Sequence, residues 1–228
     1  MISEESQSLM EKAYRAVKLM VFQQKIVPGQ KLILRELSKT LNMSATPVQV
    51  ALARLESEGF VELVPNVGCF VKKIVPKEIE DLFDVRRIIE TYAVELAIQN
   101  QNDECLRKLS EKIQDHKKYS VSIYDRRKLL LDAEVHLQIA IMSNNYVIVS
   151  QLRRIYEHIY LRSRVELLPP QRLSITPAEH EKIFQMIKAK NIFMAKKSLS
   201  KHIDEAKNVM LSTLTKEEDS ISYENMSL

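Results

Sequence analysis

Apolar positions recur at helical spacing over residues 8–24, where Leu9, Ala13, Ala16, Val17 and Met20 share a face, and the pattern breaks at Pro28-Gly29. A shorter helix is predicted over Leu32–Leu41. A third opens at Ser44, a good N-cap, carries Val48, Ala51, Leu52 and Leu55 on one face, and ends at Gly59. Pro47 lies within its first turn, where a missing N–H breaks no helical bond. Phe60–Val64 and Cys69–Val75 are β-branched and aromatic runs flanking Pro65, Asn66 and Gly68, which predicts two strands and a turn. Three helices followed by a hairpin make a winged helix-turn-helix over residues 1–75.

From Pro76 the pattern changes to long amphipathic helices with no glycine and no strand periodicity. Six are predicted over Lys77–Ala97, Asp103–Tyr119, Tyr124–Met142, Val147–Val165, Pro177–Lys190 and Ile192–Leu214. Thr176-Pro177-Ala178-Glu179 has the form of a capping box with proline at the first helical position, so the fifth helix is expected to open there. The fold class is therefore mainly α, a winged helix-turn-helix followed by an all-α antiparallel bundle of about six helices over 76–215. The polar, acidic stretch 216–228 is expected to be a disordered tail.

Composition narrows the function. Three glycines in 228 residues, none after Gly68, exclude GxGxxG and Walker loops as well as a glycine-lined nucleophile elbow. No apolar run approaches the length of a membrane span, and the polar, acidic start is unlike a secretory leader, so the expected compartment is the cytoplasm. Cys69 and Cys105 offer neither a CxxC pair nor a thiolate zinc cluster. The net charge of +4 leans weakly towards a polyanionic partner, and over residues 1–75 ten Lys and Arg oppose seven Glu.

Four polar residues of the bundle occupy positions where the periodicity predicts burial: Asp132, His136, His180 and His202. Asp132 and His136 are four apart, on one face of their helix with Leu129, Ile139 and Ala140. His180 shares a stripe with Ile183 and Ile187, and His202 one with Leu199 and Ala206. One carboxylate and three imidazoles on converging faces suit a divalent transition metal, zinc first, with nickel or manganese as alternatives. The competing reading is four separately hydrogen-bonded core residues, against which stands the desolvation cost of burying them without a shared partner. His158 falls off its apolar stripe, and His116 sits near a helix end with a packing or capping role expected. Arg86 interrupts an inward stripe between Leu82 and Ile89; its partner is either an anionic ligand or Glu90 one turn on.

The segment PGQKLILRELSKTLNMSATPVQVALARLESEGFVELVPNVGCFV resembles the DNA-binding domain of the GntR family of bacterial transcription factors. VRRIIETYAVELA, DAEVHLQIAIMSNNYVI and EHEKIFQMIKAKNIFMAKKSLSKHI resemble the FCD ligand-binding domain of the FadR branch, nearer its shorter VanR-type members. The resemblance implies a homodimer that reads a double-stranded DNA operator, with the third helix in the major groove and the wing, at Asn66 and Gly68, near the minor groove. Arg35 matches a DNA-contacting position of the family. Where the family usually has arginine, this chain has Ala45 and Gln49, which leaves Ser44, Thr46 and Gln49 to make the polar contacts. A winged helix retained only for protein contacts is the alternative for this region. The resemblance also assigns Asp132, His136, His180 and His202 as metal ligands and implies a small-molecule carboxylate effector held by the metal, with Arg86 as its candidate partner. The alternative for the bundle is a metal-dependent hydrolase or oxygenase, which lacks an evident general base on the ligand face, Glu134 and Glu179 falling off it.

Overall fold

The structure is a computed structural model that describes residues 8–226, with side chains described as far as 215. The chain divides into two compact units, one of residues up to Ile74 together with 160–163, the other of 75–159 with the residues from 164 onwards.

In the first unit, α1 (Leu9–Phe22) starts at Ser8, whose hydroxyl caps the Glu11 N–H, and α2 (Leu34–Leu41) and α3 (Ala45–Ser57) form the helix-turn-helix. Asn42 adopts a left-handed conformation at the end of α2, letting the chain turn sharply into α3. Ser44 occupies the N-cap of α3, yet its side chain makes no capping bond and stays exposed. β2 (Val61–Val64) and β3 (Gly68–Val71) form the wing hairpin. A third strand, β1 (Lys31–Leu32), pairs antiparallel with the other edge of β3, giving the order β1-β3-β2. This corrects the expected helix over Leu32–Leu41. Its first residue, Leu32, is drawn into the sheet by pairing with Cys69, as Lys31 before it pairs with Phe70, a long-range contact that no local periodicity encodes. At Gly68 φ is +141°, a backbone conformation that residues with a Cβ rarely adopt, so glycine is favoured where the wing closes. Ala13, Val17, Leu37, Val48, Ala51, Leu55, Phe60 and Val71 form the core of this unit.

The second unit contains α4 (Pro76–Gln99), α5 (Asp103–Lys118), α6 (Arg126–Met142), most of α7 (Tyr146–Arg162), α8 (Arg172–Lys188) and α9 (Ile192–Met226), with a 3₁₀ turn at Val165–Leu167. α4 packs along α9 and α6, α5 against α6 and α8, and α8 against α9. Ile79, Phe83, Val94, Leu109, Ile113, Ile139, Leu152, Ile183, Leu199 and Ile203 fill the interior.

α8 starts at Arg172, five residues before the expected first helical residue Pro177, which lies inside it. The Thr176 hydroxyl donates to the Arg172 carbonyl, while Glu179 pairs with Arg172 and does not cap Thr176. Buried Thr176 and Pro177 anchor this turn, so tertiary packing outweighs the one helical bond proline forfeits. α9 is helical backbone to Met226; side chains in the stretch predicted as a disordered tail lie outside the described residues. Cys69 and Cys105 are both free.

Candidate metal centre

α6 places Asp132 and His136 one turn apart, α8 supplies His180 and α9 supplies His202. The three histidines are buried, at 1%, 1% and 2% exposure, and one ligand atom from each plus an Asp132 oxygen all lie within 4.8 Å of one another. The structure thus brings together the four residues singled out from periodicity. His136 Nε2 stands 3.1 Å from His202 Nε2 and 3.2 Å from His180 Nε2. Asp132 Oδ1 is 3.5 Å from His180 Nε2, and Oδ2 is 3.9 Å from His136 Nε2. A cation with bonds of about 2.1 Å separates adjacent ligand atoms by roughly 3.0–3.4 Å and opposed ones by about 4.2 Å, so the cluster, with all four atoms within 4.8 Å, is slightly wider than a single metal's shell and needs only a small contraction to form one.

Two carboxylates that the sequence reading missed determine which imidazole nitrogens face inward. His136 Nδ1 is 2.5 Å from Glu90 Oε2, and His202 Nδ1 is 2.8 Å from Glu179 Oε2. Burial raises the Glu90 carboxyl, but the neighbouring His136 and Arg86 outweigh it and hold it at about 2. Burial likewise opposes ionisation of Glu179, yet His202 and Arg172 bring it to about 2. Both groups are therefore acceptors, each Nδ1 carries the proton, and the Nε2 lone pairs of His136 and His202 point at each other. Protonation of His202 and of His180 is opposed: burial pulls His202 below its ordinary value despite Glu179, and burial together with His202 pulls His180 well below. A divalent cation relieves this repulsion, and the carboxylate–imidazole pairs are the outer partners that metal-binding histidines use. In the sequence Glu90 reads only as the fourth residue after Arg86, and Glu179, adjacent to His180, reads as part of a capping box.

Arg86 is buried and its Nε donates to Glu90 Oε1 at 2.6 Å, the internal partner that had been weighed against an effector. Its Nη2 is 3.2 Å from His136 Nε2, and its guanidinium lies 4.6 Å from the centre of the Tyr156 ring. His116 is buried with its ring centre 5.2 Å from that of His180, and burial draws its pKa down to about 4. His158 is half-buried.

In the first unit, Arg35, Ser44, Thr46, Gln49 and Asn66 are exposed and Gly68 is half-buried. Arg54, also on α3, is committed elsewhere: it binds Glu11 at 2.7 Å and Glu58 at 3.0 Å, with its guanidinium 3.8 Å from the Tyr14 ring centre. The outer surface of α3's first two turns therefore carries hydroxyl and amide groups and no free cation among the described residues. No helix of the described residues is long and apolar enough to cross a membrane.

Comparison with known proteins agrees with both halves. Residues 9–71 match the family model described as bacterial regulatory proteins, gntR family, and residues 81–205 match the FCD domain. The chain is 23% identical to the uncharacterized HTH-type transcriptional regulator YdhC of Bacillus subtilis over 84% of this chain and 86% of that one. It is 32% identical to the Nta operon transcriptional regulator of Aminobacter aminovorans over 58% of this chain and 62% of that one. The solved structure of E. coli McbR/YncC superposes with a TM-score of 0.77 at 20% identity, over 91% of this chain and 99% of that chain.

Proposed function

Starting from the fact that this chain belongs to the gntR family of bacterial regulatory proteins and carries its FCD domain, we propose that it is a metal-loaded sensor whose affinity for its operator is set by a small carboxylate effector. That it is a DNA-binding transcriptional regulator and not an enzyme follows from its family and relatives. Regulators of this family bind DNA operators and typically act as dimers.

The observation that carries the sensor reading is the convergence of three buried imidazole nitrogens and one carboxylate, with two of the imidazoles oriented by Glu90 and Glu179. The donor set fits zinc, nickel or manganese. Asp132, His136, His180 and His202 would hold the ion, and a metal with four protein ligands and further open positions supplies a Lewis-acid anchor for a carboxylate. Arg86 adds a cation beside His136, where it offsets the negative charge of Glu90 and offers a donor to an anion at the same place. The chemistry needed is binding alone. Glu179, a candidate base for hydrolysis, is occupied by His202 and Arg172.

For DNA, two copies of α3 would enter successive major grooves, with Ser44, Thr46 and Gln49 towards the bases, Arg35 on the phosphates and the wing turn at Asn66 and Gly68 near the minor groove. Gln49 pairs well with adenine, so the operator is expected to carry adenine where arginine-bearing relatives read guanine. Mass-spectrometric metal analysis of untagged protein, with operator titrations in the presence and absence of small carboxylic acids, tests the reading. Stoichiometric metal that is lost in His202→Ala, and an operator affinity that moves with an acid in the wild type only, are expected. Protein that neither carries nor takes up a transition metal overturns it.

A further inference from the structure

Among the polar groups that the metal centre leaves unused, Lys128 is the most unusual, a lysine on α6 with 3% exposure. Its ammonium donates to the carbonyls of His116 at 2.6 Å and of Tyr119 at 3.0 Å, which closes the end of α5. An ammonium has three donors, and these two bonds leave the third for something else. Lys128 also lines a cavity of about 570 Å³ between the segment that follows α5 and the start of α8. That volume is in the range of small-molecule sites. Capping accounts for two of these three donors.

The remaining lining carries hydroxyls: Ser120, Ser122 and Ser174, all exposed, the last donating to the Gln171 carbonyl at 3.2 Å, and Tyr119, whose own hydroxyl donates to Asp125 Oδ2 at 2.6 Å; Lys117 stands at the exposed edge. Glu181 borders the same space and accepts from Gln185 Nε2 at 2.8 Å, so one carboxylate stands among the hydroxyls. A ligand with a negative charge at both ends would meet that carboxylate, whereas a sugar-like hydroxyl could donate to it. Leu173, Pro170 and Pro177 supply an apolar wall for the carbon chain. None of the four metal-candidate residues lines the cavity.

We propose that this cavity is a second binding site, separate from the metal cluster, for a hydroxylated monocarboxylic acid whose carboxylate meets the Lys128 ammonium and whose hydroxyls bond to Ser120, Ser122, Ser174 and Glu181. The inference does not rest on the metal reading. Lys128 and Asp132 are one turn apart on α6, and their charges act on each other. An acid on Lys128 offsets a positive charge beside Asp132, so its binding favours a cation at the cluster, and by linkage the cation favours the acid.

Calorimetric titration of the full-length protein with ribonate tests this, with pentanoate lacking the hydroxyls and ribitol lacking the charge as controls. Ribonate is expected to bind at least about tenfold more tightly than either control, the scale of one buried charge-assisted hydrogen bond. Lys128→Met should abolish that preference. Because Lys128 also holds two carbonyls, Ser174→Trp is the second variant: it fills the cavity from an exposed position, keeps Lys128, and should also lose ribonate while melting like the wild type. Chelator-treated wild type should still bind ribonate, more weakly. The proposal is overturned if wild type does not prefer ribonate, if both variants bind it unchanged, or if chelation abolishes binding that Lys128→Met retains, which would place the acid on the metal cluster.

Discussion

On α3, Ser44, Thr46 and Gln49 stand in solvent on a helix whose opposite face, Val48, Ala51, Leu52 and Leu55, is locked into a core. On α6 and α9, His136 and His202 are buried, and each is gripped at its second nitrogen by a carboxylate from another helix. The first arrangement leaves polar groups to find partners on another molecule, so changing one should alter recognition and leave the fold alone. In the second, the groups that would hold a ligand also sit in the core, so recognition and stability cannot be separated there. Polar side chains thus yield a surface tolerant of drift in one half and a centre intolerant of it in the other.

The sharpest way to break this contrast is His202→Ala. It removes an imidazole from the cluster and leaves Glu179 without its ring partner, so metal affinity measured against a chromophoric chelator is expected to fall by more than about a hundredfold. The gain in melting temperature that added metal gives the wild type should vanish with it.

Next comes acid sensitivity. His116 is held neutral in the fold by burial, with a pKa of about 4 against the ordinary 6.5. As pH falls, the unfolded chain takes up a proton first, so its contribution is present above about pH 6.5, declines down to about 4 and is level below. Urea unfolding of metal-free protein at pH 7.5 and 4.5 should differ by a few kcal/mol, and His116→Phe should remove a share of the order of 2–3 kcal/mol.

Glu90→Gln keeps a hydrogen-bonding group beside His136 but removes the charge. A loss of roughly ten- to a hundredfold in metal affinity is expected, with all four ligands intact. An unchanged affinity would mean that the Glu90 contact serves packing alone.

The smallest effects belong to the first unit. Gln49→Ala should weaken operator binding by about tenfold and relax preference at one base position, with the salt dependence unchanged. Arg35→Ala should weaken all DNA sequences by a few fold and flatten the salt slope by about one, as the loss of one phosphate contact does. Neither should move the melting temperature. If either did, the contrast between a tolerant surface and an intolerant core would fail at that residue.

Asp132 and His136 were legible because helical phase alone puts residues four apart on one face, and His180 and His202 because each replaces an apolar residue in a stripe. Glu90 and Glu179 were not, since their value lies in contacts with rings 46 and 23 residues away. The start of α8 was misplaced for a related reason. Thr176-Pro177-Ala178-Glu179 fits a local capping pattern, yet Arg172 reaches both Glu179 and Glu205 and holds an earlier turn helical. β1 has only two residues, too few to show any alternation, and exists because β3 offers an unpaired edge.

By itself, then, the amino-acid order determined the helix faces, the hairpin and the change of architecture near Pro76, all of which follow from periods of two and 3.6 residues and from turn chemistry. Tertiary structure alone decided that four separate helical positions share one point, which nitrogen of each ring looks inward, and that Lys128 is buried beside a cavity. Those outcomes depend on distances between helices remote in the chain, and side-chain packing, not local spacing, sets such distances.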